Sequence, residues 1–170
     1  MFTHKFKIKG FSLIELMVVL SIAAVLIGIG VPSFSSLIQK NRTASQTNAL
    51  IASINYARSE AMKRGQAVVL ASADGSRDWS GGWQVYLDSN NNGSADSGEE
   101  LRIFEALPGS SGLSATQVKV TVNKNGFLNG VKTNGSVVWT LTQSGCSGNL
   151  NRTLTLYPSG RNLIQQDACS

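Results

Sequence analysis

Between Phe11 and Val31 the chain carries a single charged side chain, the carboxylate of Glu15, in an otherwise apolar run. That run is about 21 residues long, which at 1.5 Å per residue matches a hydrocarbon core about 30 Å thick and predicts a membrane-spanning helix. An ionised acid at such a place costs about 2.5–3.5 kcal/mol even on lenient insertion scales, so an acid that is kept there needs a cationic partner. A candidate partner lies close by in sequence. Gly10 precedes the apolar run and follows a basic leader containing Lys5, Lys7 and Lys9. A secretory signal would carry its small-residue cleavage site after the apolar region, not before it. Cleavage between Gly10 and Phe11 leaves the helix on the product and creates a free amine at Phe11, close in sequence to Glu15.

A second group of ligating side chains lies in Asp88-Ser89-Asn90-Asn91-Asn92-Gly93-Ser94-Ala95-Asp96-Ser97-Gly98-Glu99. Asp88, Asn90 and Asn92 take the first, third and fifth places of a twelve-residue loop, Gly93 the sixth, Asp96 the ninth and Glu99 the last. That is the spacing of an EF-hand calcium loop. The preceding Trp83–Leu87 alternates like a strand and does not supply the entering helix of that motif. A calcium site and an Asn/Gly-rich hairpin loop both stand as readings. No cofactor is required elsewhere, because the chain has neither a phosphate-cradling loop nor a dinucleotide fingerprint. The one histidine, His4, lies in the leader, so the chain beyond Gly10 has no imidazole base or metal ligand and catalysis is not expected.

The elements that must position these groups are legible from periodicity. Beyond Pro32, the residues Phe34, Leu37, Ile38, Ile51, Ile54, Ala57 and Ala61 fall on one helical face, with Gln39, Lys40, Arg42, Gln46 and Ser53 mostly opposite. Glu60 and Arg64 stand in the favourable i,i+4 order, and Gly65 supplies a stop. One helix over 11–64 is predicted, weakened in its middle by Gly28, Gly30 and a kink at Pro32. From Gln66 the pattern changes to short alternating runs, predicting strands at 67–72, 82–87, 101–107, 118–122, 137–142, 153–157 and 162–165. Turns are expected at Asp74-Gly75, Asn92-Gly93, Asn125-Gly126 and Asn134-Gly135. The fold class is α+β, with an antiparallel β-sheet packed on the C-terminal half of a long N-terminal helix.

Gly10-Phe11-Ser12-Leu13-Ile14-Glu15-Leu16, followed by an apolar helix, resembles the N-terminus of type IV pilins and pseudopilins. Tyr56-Ala57-Arg58-Ser59-Glu60-Ala61, Gly81-Gly82-Trp83-Gln84-Val85-Tyr86 and Pro158-Ser159-Gly160-Arg161 resemble the GspH/FimT family of minor pilins and type II secretion pseudopilins. The resemblance implies that prepilin peptidase removes residues 1–10 and methylates Phe11, and that Glu15 pairs with the N-terminal amine of a neighbouring subunit. It divides the chain into a leader at 1–10, a membrane and filament-core half of the helix at 11–32, an amphipathic half at 33–65 and a β-rich domain at 66–170. It also implies anchorage in the bacterial inner membrane by one span, a periplasmic C-terminal domain, and other pilin subunits as partners.

Two further expectations follow from that setting. Cys146 and Cys169 are the only cysteines, and their spacing fits neither zinc nor a redox CxxC pair. In an exported domain they predict a disulfide, with two buried thiols as the competing reading. Its loop of about 24 residues would contribute roughly 3 kcal/mol. DNA is the alternative partner. Members of this family that bind DNA carry an arginine-rich motif beginning Gly-Arg; here Gly160-Arg161 is followed by Asn162-Leu163, and the second arginine is missing. The net charge of +5 includes three leader lysines, leaving 12 basic and 10 acidic residues beyond Gly10. Arg152 and Arg161 are the candidate phosphate contacts.

Overall fold

A computed structural model describes residues 10–90, 92–109, 111–129 and 135–169; side chains at 30–33 lie outside the described residues, and with them the kink predicted at Pro32. The chain divides into two compact units, Met1–Ile38 and Gln39–Ser170.

Helix α1 runs from Leu13 to Arg64. Ser12 opens it as N-cap, its Oγ accepting the backbone N–H of Glu15 at 3.2 Å. Gly65 ends it at φ 67°, the left-handed conformation in which only glycine escapes Cβ crowding. In the first unit the large apolar side chains described on α1 are bare, Leu20 and Leu26 being 60% and 65% exposed. This stretch is long and apolar enough to cross a membrane. Phe34, Leu37 and Ile38, expected on the buried face, belong to this unit and are exposed as well.

The second unit is built on the remaining half of α1. Leu50, Ile54, Ala57 and Ala61, spaced for one face, are 0–2% exposed. The strands are β1 (Val68–Ser72), β2 (Trp83–Leu87), β3 (Glu100–Phe104), β4 (Ser111–Ala115), β5 (Lys119–Val122), β6 (Leu128–Asn129), β7 (Val137–Gln143), β8 (Asn151–Leu156) and β9 (Asn162–Asp167). They form two antiparallel sheets, β3-β2-β1-β5-β6 and β4-β7-β8-β9, as the antiparallel β domain expected from the alternation requires. The division is made by β4, whose Ser-Gly-Leu-Ser-Ala reads as a turn sequence and becomes a strand by pairing with β7 from Ser111↔Gln143 to Ala115↔Trp139.

The two sheets share one core with the helix. Trp79, Trp83 and Trp139 are at most 1% exposed, and Trp79 meets Trp139 edge-on at 5.5 Å between ring centroids. Trp79 joins the sheets through its neighbours, its N–H donating to the Leu113 carbonyl and its indole Nε1 to the Gln117 carbonyl. Small Ala57 and Ala61 let the helix approach the large indoles, which is the interdigitation a dense core requires.

The polar side of the helix pattern is corrected at two positions. Gln46 and Ser53, expected to face solvent, are 7% and 0% exposed. Ser53 returns its hydroxyl to the Leu50 carbonyl at 2.7 Å. Gln46 donates to Ser111 Oγ at 2.8 Å and accepts from Gln143 Nε2 at 2.9 Å, and Gln143 Nε2 also reaches Ser111 Oγ at 2.8 Å. Buried amides are tolerated when their hydrogen bonds are made, and this triangle ties α1 to β4 and β7.

Candidate assembly and ligand sites

At the N-terminus the residues with candidate chemistry are laid open. Phe11 is 77% exposed, and Glu15 is exposed with its backbone capped by Ser12. A Cβ placed on Gly10 would meet nothing within 4 Å, so the chain's own packing does not demand glycine there.

The 88–99 loop closes on itself. Asp96 Oδ2 accepts from Asn90 Nδ2 at 2.6 Å and Asn92 Nδ2 at 2.7 Å, while the Glu99 carboxylate accepts the N–H groups of Ser89 and Asp96. Asp88 Oδ2 accepts the N–H of Gly93, whose φ of 77° makes the turn; Asp88 Oδ1 is buried without a hydrogen-bond partner. Beneath the loop, Tyr86 donates to the Gly93 carbonyl, and Lys119 Nζ donates to that same oxygen at 2.9 Å. Burial, and then the charges of Asp88 and Glu99, push the Tyr86 phenol up to about 12. Among the described residues no group of three or more His, Cys, Asp or Glu side chains is arranged to hold a metal ion.

Cys146 and Cys169 are bonded, with 5.9 Å between their Cα atoms. The bridge fastens the C-terminal segment beside β8. Cys169 N donates to the Gly148 carbonyl, and Asn151 Nδ2 to the Ala168 carbonyl at 2.9 Å. Asn151 Oδ1 in turn accepts the N–H of Gln143, so the anchor of the tail borders the buried amide triangle.

The two candidate DNA contacts are separated. Arg152 opens β8 opposite Leu141 and shares its inward face with Leu154; its Nε is buried without a partner. Arg161 lies beyond the other end of that strand, exposed, with its guanidinium 4.8 Å from the Tyr157 ring centroid. They do not make one patch. The arginine with the most developed contacts is one that sequence reasoning left without a role. Arg58, on α1, donates from Nε to the Gly126 carbonyl and from Nη1 to the Gly160 carbonyl, each at 3.0 Å. Both glycines sit at φ 81°, and a Cβ on Gly160 would stand 2.6 Å from Arg58 Cζ. The quoted runs Tyr56–Ala61 and Pro158–Arg161 thus meet in space, as helix clamp and clamped turn. Their co-occurrence was the only sequence signal of this contact.

A bare apolar helix opening after Gly-Phe, continued into an αβ unit, is the architecture of a pilin-type subunit, and the sequence comparisons agree. Residues 5–31 match the prokaryotic N-terminal methylation motif. Residues 46–160 match the model of type II transport protein GspH, and the chain belongs to that family. A crystal structure of the type IV minor pilin FimU of Pseudomonas aeruginosa is similar at TM-score 0.63 and 20% identity, over 79% of this chain and 99% of that one. The minor pseudopilin EpsH of the Vibrio cholerae type 2 secretion system is similar at TM-score 0.53 and 9% identity, over 74% and 97%. At those identities the two structures speak for the fold. No curated protein sequence matches. Family and motif define a minor pilin or pseudopilin.

Proposed function

We propose that the chain is a low-abundance structural subunit that starts or caps a type IV pilus or a type II secretion pseudopilus. Prepilin peptidase removes residues 1–10 and methylates Phe11, the apolar helix holds the subunit in the inner membrane with its β-rich unit in the periplasm, and assembly draws the helix into the filament. Glu15 pairs there with the Phe11 amine of a neighbouring subunit, which offsets the desolvation of both charges. The observation that carries this reading is a methylation motif on a helix whose apolar side chains are uncovered in the single chain. Glu15→Ala should leave the protein in the membrane fraction and abolish its recovery in sheared filaments or the pseudopilus, read by immunoblot. Normal incorporation of Glu15→Ala would overturn the pairing role.

The alternative of a DNA-binding subunit gains little support from the geometry, since Arg152 and Arg161 stand at opposite ends of β8. Calcium uptake by the 88–99 loop is a second proposal, supported by the unpartnered Asp88 Oδ1. Titration calorimetry should show binding at about 10⁻⁴–10⁻³ M, as in extracellular modules, that is lost in Asp88→Ala/Glu99→Ala. Absence of heat and of a calcium-dependent melting shift at millimolar metal would remove it.

A further inference from the structure

Three segments far apart in sequence meet at one end of the β-rich unit: the last turns of α1, the turn at 123–127 before β6, and the turn at 157–161 before β9. Arg58 joins them by donating to the Gly126 and Gly160 carbonyls. Leu128 N closes the seam between the two turns by donating to the Pro158 carbonyl at 3.1 Å. Met62 lies over the first turn, since a Cβ on Gly126 would stand 3.2 Å from its Sδ. Each turn also holds its own shape. Asn123 Oδ1 accepts the N–H groups of Asn125 and Phe127, and Tyr157 N donates to the Arg161 carbonyl.

This end carries groups that the unit's own packing does not use. Met62 is 53% and Phe127 50% exposed, while Leu128, one residue on, is 9% exposed and belongs to the core. Methionine and aromatic residues concentrate at protein interfaces, the one adapting its shape and the other offering a large rigid face. The three segments also bring Arg58, Lys63, Arg64, Lys124 and Arg161 together against a single acid, Glu60. Glu60 is already spent, on Arg64 at 2.6 Å with Lys63 at 3.9 Å. Among the described residues no acid lies within ion-pair distance of Lys124 or Arg161. The apolar centre favours a protein over phosphate as the occupant. The unmatched cations exclude a second copy of the same face, which would set like charges against one another. Because Arg58 fixes both turns before a partner arrives, docking requires little further ordering.

We propose, resting on the reading of the chain as a filament subunit, that this end of the unit is a docking face for a neighbouring subunit that presents carboxylates around an apolar side chain. Met62 and Phe127 form the centre that loses water on contact, and Lys63 and Lys124 form the rim that steers and orients the partner. The face lies across the C-terminal end of α1, so a partner whose helix points the same way can meet it, as subunits anchored in one membrane require.

The test replaces the full chain in its host by variants and reads recovery in sheared filaments or the pseudopilus by immunoblot, with thermal melting of the detergent-solubilised chain to check the fold. Phe127→Asp and Lys63→Glu/Lys124→Glu should each melt like wild type and lower recovery by about tenfold. Ile103→Asp, on β3 at 61% exposure, should leave recovery unchanged. Second-site changes that rescue Lys63→Glu/Lys124→Glu should turn an acidic residue of another subunit basic. Folded variants recovered like wild type, or an equal loss from Ile103→Asp, would each overturn the docking face. Duplex DNA binding that is lost in Lys63→Glu/Lys124→Glu while recovery stays normal would overturn it too, in favour of phosphate. Absence of the wild type itself from filaments would remove the filament-subunit reading, and this face with it.

Discussion

The two parts of α1 belong to one continuous helix and have opposite fates. Leu20 and Leu26 are largely bare, whereas Leu50 and Ile54 are 2% exposed. The helical backbone is the same in both, so what differs is the supply of cover. In the second part the cover is the chain's own sheets, anchored by Arg58 and the amide triangle. In the first part, the described residues of the chain supply no such cover. Helix-forming residues thus say little about which side chains a subunit buries by itself, because that is decided by what the rest of the sequence can bring to each turn.

The contrast can be broken most directly by truncating matched residues. Ile54→Ala should destabilise the β-rich unit by about 2–5 kcal/mol, the range for a large-to-small change in a close-packed core. Leu26→Ala, on the same helix, should leave its thermal melting unchanged. An equal loss from both would mean that the two units unfold as one.

A smaller effect is expected from Gly160→Ala. The left-handed backbone alone costs a non-glycine residue about 1–2 kcal/mol. The new methyl group must also displace the Arg58 guanidinium. Gly75→Ala has the same backbone handicap with nothing within 4 Å, so the excess of Gly160→Ala over Gly75→Ala in chemical denaturation measures the clamp. Prior removal of the guanidinium, in Arg58→Ala, should abolish that excess.

The smallest effect concerns pH. The Arg64 hydrogen bond at 2.6 Å, assisted by the charge of Lys63, holds the Glu60 carboxyl below its ordinary value of 4.5 despite opposing desolvation. The folded state therefore binds this proton less readily than the unfolded chain. Its contribution is complete above about pH 4.5 and is lost as pH falls through the depressed folded value. Glu60→Gln should flatten this part of the stability profile in acid melting experiments. An unchanged profile would show that the pair is exposed enough to contribute nothing.

Most of this architecture could be read from residue order, and the parts that could not share a cause. β2, β5, β7 and β8 announce themselves by alternation of Val, Leu, Trp and Tyr with polar residues, β1 by the apolar run Val68–Ala71, and the Gly65 stop and the Gly75, Gly93 and Gly126 turns follow from backbone chemistry. The N-terminal methylation motif is local, carried by neighbouring residues alone. β4 was not, since Ser111–Ala115 has no strand preference of its own and is recruited by β7. Gln46 reads as a solvent-facing residue because its polarity is local, while its partners Ser111 and Gln143 lie 65 and 97 residues further on. Arg58 was silent for the same reason, its acceptors being 68 and 102 residues distant. Of the candidate DNA contacts, spacing could not reveal that Arg152 faces inward. Strand phase decided that.

The long reach of these contacts has a consequence in time. Chains are synthesised from the N-terminus, so α1 exists well before the residues that complete its burial. Gln46 must wait for Gln143, and Arg58 for Gly160, before either polar group gains its final partner. Through that interval the helix presents unmet donors beside Leu50, Ile54 and Ala57. The subunit cannot finish folding until nearly all of its sequence has emerged, and a chain interrupted short of Gly160 would carry a formed helix with its clamp open.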